Sequence, residues 1–437
     1  MSIYSYEEAF GQADKTSTKM KQALEKWREL YYRQDVTAQA DPCQRIAYTV
    51  VNKIVKTVFG EYRAYAEDKV AAALLKKLDL IAKDAMQLAL VEGECYLKPY
   101  VGVDGISFVA VARSNVLVFA RDADGRPVDI GTAERSVYNG KYYTLLERRQ
   151  VDAEGYLTIT NRLYSSADSS RLGTQVALES CGKYENLPDS FRYPLPVGSV
   201  GLVRMKTPML NCVDGSSDGV SVYGAAVGLI ENIDKNEAQL NLEFANGQSR
   251  VFASADLLRR DSSGSSSLED TLFVGLDEDP ESVGITVFSP NLREQAYLAR
   301  KQEYLRNVES VIGLKRGMLS DANVEDRTAT EITSSAGDFN LTVIDFQRMW
   351  QKALEEMLVL CAVLTKLYGL PAIGSCNVSV DWGNGVLYDE SQTWQEYLQM
   401  VDKGLVKPEI ALGWRFGLPA DTAEDLAKIR KAWMPEE

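Results

Sequence analysis

The chain has 437 residues, a formal charge of −14 and no histidine. Hydrophobic residues make up 45% and charged residues 25%, which fits a globular protein with room for two or three domains. The missing histidine removes the usual general base, the commonest metal ligand and the usual pH switch. The acidity argues against gripping DNA through a general phosphate-neutralising surface, although a like-charged wall can surround DNA without sticking to it.

Residues 1 to about 35 predict a charged helical stretch with Met20, Leu24, Trp27, Leu30 and Tyr31 on one face. A break ends at Pro42. A helix carrying Ile46, Val50, Ile54 and Val58 then runs to Gly60, and another runs from about Glu67 to Glu92. From Cys95 to about Ala177 the apolar period changes to two. Asp104-Gly105, Asp124-Gly125, Asn139-Gly140 and Glu154-Gly155 punctuate the strands as hairpin turns, which predicts an antiparallel meander packed on the helices. Residues 178–222 contain Pro188, Pro194, Pro196 and Pro208 and read as an irregular connection.

A helix follows from about Tyr223 to Asn246, with Ala226, Ile230, Ile233, Leu240 and Phe244 as its stripe, Glu237 interrupting it, and Gly247 as its C-terminal cap. Residues 250–290 hold three β-like runs around a Ser/Gly-rich turn. Val251 and Phe252, Phe273 and Val274, and Ile285 and Val287 are their apolar members. A second helix starts at Asn291, carries Leu298, Leu305, Val308 and Ile312, and stops at Gly313.

Residues 314–327 read as a flexible loop holding Lys315, Arg316, Asn323 and Arg327. Thr328 and Glu331 then form a capping box for a helix of roughly 40 residues. Its apolar members are Ala329, Ile332, Ala336, Phe339, Val343, Phe346, Trp350, Ala353, Met357, Cys361, Leu364 and Tyr368. Gly369 and Pro371 stop it, and Gly337 beside Ser334 and Ser335 predicts a kink. A short strand, 378–382, and three helices at about 391–403, 408–416 and 422–433 complete the chain.

The chemistry that is absent narrows the function. The sequence has no phosphate-binding G-x-x-x-x-G-K-[ST] loop, no G-x-G-x-x-G, and no nucleophile system that needs histidine. Paired acids such as Glu355-Glu356 point in different directions on a helix and read as a solvated face. Six scattered cysteines without a C-x-x-C pair argue against zinc and favour a reducing cytoplasm. No cofactor is expected. The N-terminus lacks an apolar signal core, and no apolar run approaches a membrane span.

The ordered plan of α+β part, helix, small β part, helix, loop, long helix and C-terminal helices resembles the portal proteins of tailed bacteriophages. The phrases GVSVYGAAVGLIENIDKNEAQLNLEF and VIGLKRGMLSDANVEDRTATEI also resemble that family. The resemblance implies an α+β portal-like fold. Its parts would be a wing over 1–222, a first stem helix over 223–249, a clip over 250–290 and a second stem helix over 291–313. A tunnel loop over 314–327, a long kinked wing helix over 328–369 and a short crown over 370–437 would follow.

The resemblance also implies a non-enzymatic ring of about twelve subunits at a capsid vertex, assembled in the host cytoplasm and carried in the virion. Double-stranded DNA would pass through it without sequence specificity, with Lys315, Arg316, Asn323 and Arg327 in the channel. The terminase large subunit, a head–tail connector or adaptor, and the major capsid and scaffolding proteins would be its partners. Residues 178–222 could then lie on a neighbouring subunit. Val251, Phe252, Phe273, Val274, Ile285 and Val287 would form the clip interface, completing sheets between neighbours. Two other readings stand beside this one: a scaffolding or adaptor protein that dimerises through the long helix as a coiled coil, and a carboxylate-based hydrolase with two facing acids.

Overall fold

The computed structural model describes residues 3–32, 42–102, 104–247, 250–254, 273–276, 286–288, 291–321, 329–383, 390–416, 418, 420 and 422–434. It is 47% helix and 21% strand, and its strand pairs are antiparallel with one exception, which makes the fold α+β.

A 3-10 turn, Ile3–Tyr6, leads into α1 (Glu7–Phe10). Then come α2 (Thr18–Tyr32) and α3 (Ile46–Val58), whose expected apolar faces are buried apart from the half-buried Tyr31. A short strand, β1 (Arg63–Tyr65), follows. The single helix expected over 67–92 is two helices, α4 (Lys69–Asp79) and α5 (Ala82–Glu92), with Leu80 82% exposed at the turn between them. The apolar spacing runs through this break without a change of phase: Ala71, Leu74, Leu78, Ala82, Ala85 and Ala89 are all buried. No glycine or proline marks the turn, so periodicity alone cannot find it.

The period of two then produces β2 (Glu94–Gly102), β3 (Gly105–Ala112), β4 (Val116–Arg121), β5 (Pro127–Tyr138), β6 (Lys141–Val151) and β7 (Leu157–Ser166). All four expected turns form, with φ of +82° at Gly105, +75° at Gly125, +74° at Gly140 and +86° at Gly155. Only glycine adopts such angles without strain, which is why these dipeptides are legible as turns.

The strands do not make the one meander expected. β8 (Thr174–Val176) and β9 (Ser190–Arg192) both pair with β7, extending a sheet that begins at β4. β10 (Val203–Lys206) instead pairs with β2, which with β3 makes a second sheet. At the junction, the buried Arg113 lies 2.7 Å from Glu94, and Asp218 accepts from Arg121 at 2.5 Å.

Residues 178–222 fold back on their own chain, where Tyr184, Tyr193, Leu202, Met205 and Val222 are buried. The Thr207 and Val222 amides donate to the Gly93 and Leu90 carbonyls. The prolines and turns of this stretch disguise a return anchored on its own chain, while most of residues 182–199 stay exposed.

The rest of the chain comprises α6 (Val227–Asn246), β11 (Arg250–Ser254), β12 (Phe273–Leu276), β13 (Thr286–Phe288), α7 (Glu294–Ile312) and α8 (Ala329–Leu367). After them come β14 (Ser379–Asp381), α9 (Glu390–Asp402), α10 (Pro408–Phe416) and α11 (Ala423–Trp433).

α8 runs through the main core. Phe339, Val343, Phe346, Trp350, Ala353, Met357, Cys361 and Leu364 are buried in that core, where α8 packs against α3, α4 and β10, as their spacing predicts. Tyr368, the last member of that stripe, is 48% exposed. From Phe339 on, the stripe is covered by its own chain, so that described part offers no seam for a coiled-coil partner. Gly337 lies inside α8. Gly369, at φ +62°, closes the end, with the Leu370 amide on the Thr365 carbonyl. Thr328 of the expected capping box lies outside the described residues.

β14 pairs with β1, so the strand expected in the crown is stitched to the N-terminal part. The three C-terminal helices form close to their expected limits. The Thr422 hydroxyl accepts the Asp425 amide as an N-cap.

Candidate functional site

α6 and α7 lie antiparallel. Three polar links fix their register: Asn236 Nδ2 donates to the Tyr297 carbonyl at 3.0 Å, Lys301 Nζ lies 3.0 Å from Glu237, and Arg293 grips Glu243. Glu237, which seemed to interrupt an apolar stripe, is therefore a pairing residue. Lys301 also donates to Gln44 Oε1 at 2.7 Å, and the Gln44 amide donates to Asp234 at 2.9 Å. Lys26 of α2 reaches Glu231 at 2.9 Å. These bonds clamp the base of the hairpin to the N-terminal part.

Packing along the hairpin is uneven. Ile230, Ile233, Leu305, Val308 and Ile312 are buried at its base. Leu242, Phe244 and Leu298, nearer the tip, are 59%, 45% and 48% exposed. The expected burial of Phe244 and Leu298 is thus absent in one chain, because at that level each helix has little but the other to pack against. Gly247 caps α6 as expected, its amide on the Glu243 carbonyl, at a φ of −80° that any residue can adopt. A Cβ there would lie 2.2 Å from Leu292 Cδ2, so close approach explains the glycine.

At the tip, the three strands form one sheet in the order β12-β11-β13. Val251 pairs with both Phe273 and Val287, and Phe252 pairs with Val274. The β11–β12 pairing is parallel, which requires a long crossover and could not be read from three short runs. Ile285 lies outside the described residues.

The loop after α7 departs most from expectation. Residues 314–321 are held. Glu309, on the last turn but one of α7, is 1% exposed. Its Oε1 accepts from the amides of Gly317 at 3.1 Å, Leu319 at 2.5 Å and Ser320 at 2.9 Å, and its Oε2 accepts from Ser320 Oγ at 2.8 Å. Its backbone carbonyl accepts from the Gly313 and Leu314 amides. Leu314 is buried, and Met318 and Leu319 pack on the main core. Lys315 and Arg316 are left exposed between these anchors. Asn323 and Arg327 lie outside the described residues. The sequence signal for Glu309 was present but faint: an acid near a helix C-terminus, where the dipole disfavours it, needs donors nearby.

Among the described residues, no cluster of three or more cysteines and acids could hold a metal, and no helix is long and apolar enough to cross a membrane. A family model for the phage portal protein, SPP1 Gp6-like, matches residues 48–432. No curated protein matches the chain.

Proposed function

Because this chain belongs to the phage portal protein family, a family of structural proteins of the bacteriophage virion, we propose that its copies close into a ring of about twelve at one capsid vertex. DNA enters through the ring's channel during packaging and leaves through it at ejection. α6 and α7 form the stem. The β11–β13 sheet is the clip, which docks the terminase large subunit and later a head–tail connector or adaptor. The N-terminal part is the wing and meets the major capsid and scaffolding proteins. Val251, Phe252, Phe273, Val274, Ile285 and Val287 belong to the clip interface, where neighbouring sheets cover each other's edges.

The observation that carries this reading is the loop. Its apolar residues and Glu309 hold residues 314–320, and Lys315 and Arg316 stand exposed on it. Repeated once per subunit, they make basic rings on an acidic protein. Such rings touch phosphates without reading bases and let DNA slide. On the family's plan Asn323 and Arg327 would also face the channel, and Gly337 would kink the long helix.

Replacing both basic residues, Lys315→Ala with Arg316→Ala, tests the role. The reading expects rings of unchanged mass and a clear change in the rate or yield of DNA packaged into proheads. Unaltered packaging would remove these residues from the channel.

A further inference from the structure

We infer that Glu309 is the positioning residue of the loop: its buried carboxylate is a built-in anion around which residues 313–320 wrap, setting where Lys315 and Arg316 stand. The functional half of this inference rests on the portal reading. The structural half does not.

The geometry shows how the wrapping works. Three amides of one short stretch converge on a single carboxylate oxygen, and the Ser320 hydroxyl takes the other. Gly317, at φ +89°, turns the chain so that its own amide can join the later two. A concave run of amides of this kind is an anion-binding shape, and here the anion comes from the same chain. With the two amides on its backbone carbonyl, Glu309 accepts six hydrogen bonds from residues 313–320.

Charge makes the arrangement conditional in both directions. A buried carboxylate near the negative end of α7 is unfavourable by itself. The loop amides, whose hydrogen bonds to a charged acceptor are the strong kind, offset that penalty. Without the loop in place, Glu309 has no reason to be buried. Without the Glu309 side chain, the Gly317, Leu319 and Ser320 amides lose their acceptor, and the loop keeps the packing of Leu314, Met318 and Leu319 and the Asp321 amide on Gln302. Lys315 and Arg316 lie between the cap of α7 and the wrapped stretch, so their height and direction follow from it. The rest of the loop, 322–327, is not part of this inference.

Trypsin reads the wrapping directly, because cleavage after Lys315 or Arg316 requires residues 317–320 to be drawn out into extended form. Peptide mass mapping of limited digests would compare the full-length protein with Glu309→Ala and Glu309→Gln. Gln keeps an oxygen for the three amides and can donate to the Ser320 hydroxyl. The expected result is cleavage at these two bonds about tenfold faster in Glu309→Ala, with Glu309→Gln within about threefold of the unaltered protein and cleavage elsewhere unchanged. Packaging by Glu309→Ala rings is expected to fall and to be restored by Glu309→Gln.

Equal cleavage rates for Glu309→Ala and the unaltered protein would overturn the wrapping. Faster cleavage with undiminished packaging would overturn the positioning role. Failure of the unaltered chain to form rings would count against the portal reading and leave the cleavage comparison intact.

Discussion

The Arg293 guanidinium holds the Glu243 carboxylate at two points, Nε to Oε1 at 3.0 Å and Nη2 to Oε2 at 2.6 Å, across the end of the hairpin next to the β11–β13 sheet. The Arg293 amide adds a third contact at 3.3 Å. The hydrogen bonds from Arg293 hold the Glu243 carboxyl below its ordinary range. The pair is exposed, so its effect on global unfolding is small. Its effect is local. Glu243→Gln should speed amide exchange in the first turn of α7 while leaving α8 unchanged. Because the folded carboxyl titrates low, the local protection should be complete above the ordinary glutamate range and disappear as pH falls through the depressed value.

The far end of the α6–α7 hairpin gives a prediction about assembly. Phe244 and Leu298 are half exposed in the single chain, whereas Leu305 and Val308 are buried. Changing both exposed residues to serine should leave the thermal unfolding of the monomer within a few degrees and weaken the ring, seen as smaller species in native mass spectra. Rings as abundant as those of the unaltered protein would show that these side chains face solvent in the assembly.

Trp350 ties α8 to the rest of the core. It is fully buried, its Nε1 donates to the Tyr62 hydroxyl at 3.0 Å, and that hydroxyl donates to Asp79 at 2.9 Å. Trp350→Ala should cost about 3–5 kcal/mol in denaturant unfolding through the cavity it leaves. Tyr62→Phe should cost less, about 1–3 kcal/mol, through the unpaired indole N–H.

The acid stability of the sheet depends on Glu147. Burial alone would raise its pKa, but Arg149 at 2.6 Å and Lys98 at 3.0 Å outweigh burial and bring it from 4.5 to about 2. A depressed carboxylate contributes stability that is complete above the unfolded value and is lost as pH falls through the folded one. The contribution should therefore fade between about pH 4.5 and about pH 2. Glu147→Gln should cost about 3–5 kcal/mol at pH 7, because it leaves buried cations unpaired, and the gap to the unaltered protein should narrow over that acidic window. Denaturation curves at pH 7 and pH 3 would measure both.

The legible parts of this fold were those with a local physical cause. The four hairpin turns need left-handed glycines, and α8 repeats its apolar spacing far beyond an average helix. The illegible parts had causes distant in sequence or none visible in the pattern. β14 finds β1 more than three hundred residues away through only three residue pairs. The α4–α5 break keeps the apolar phase. The parallel pairing of β11 with β12 cannot be inferred from strand-like runs. At the candidate site, Lys315 and Arg316 were legible as exposed basic residues of the loop after α7. Glu309 was legible only faintly, as an acid near a helix C-terminus, and nothing in the pattern says what it binds. Its role appears only when the chain folds back onto it.

The measurement that tests the central claim most directly is the mass and shape of the purified protein, by native mass spectrometry with negative-stain imaging. The portal account predicts a closed ring with an axial hole and about twelve copies, formed by the chain alone or with capsid and scaffolding proteins. A discrete dimer without a hole, unchanged when those proteins are added, would contradict it.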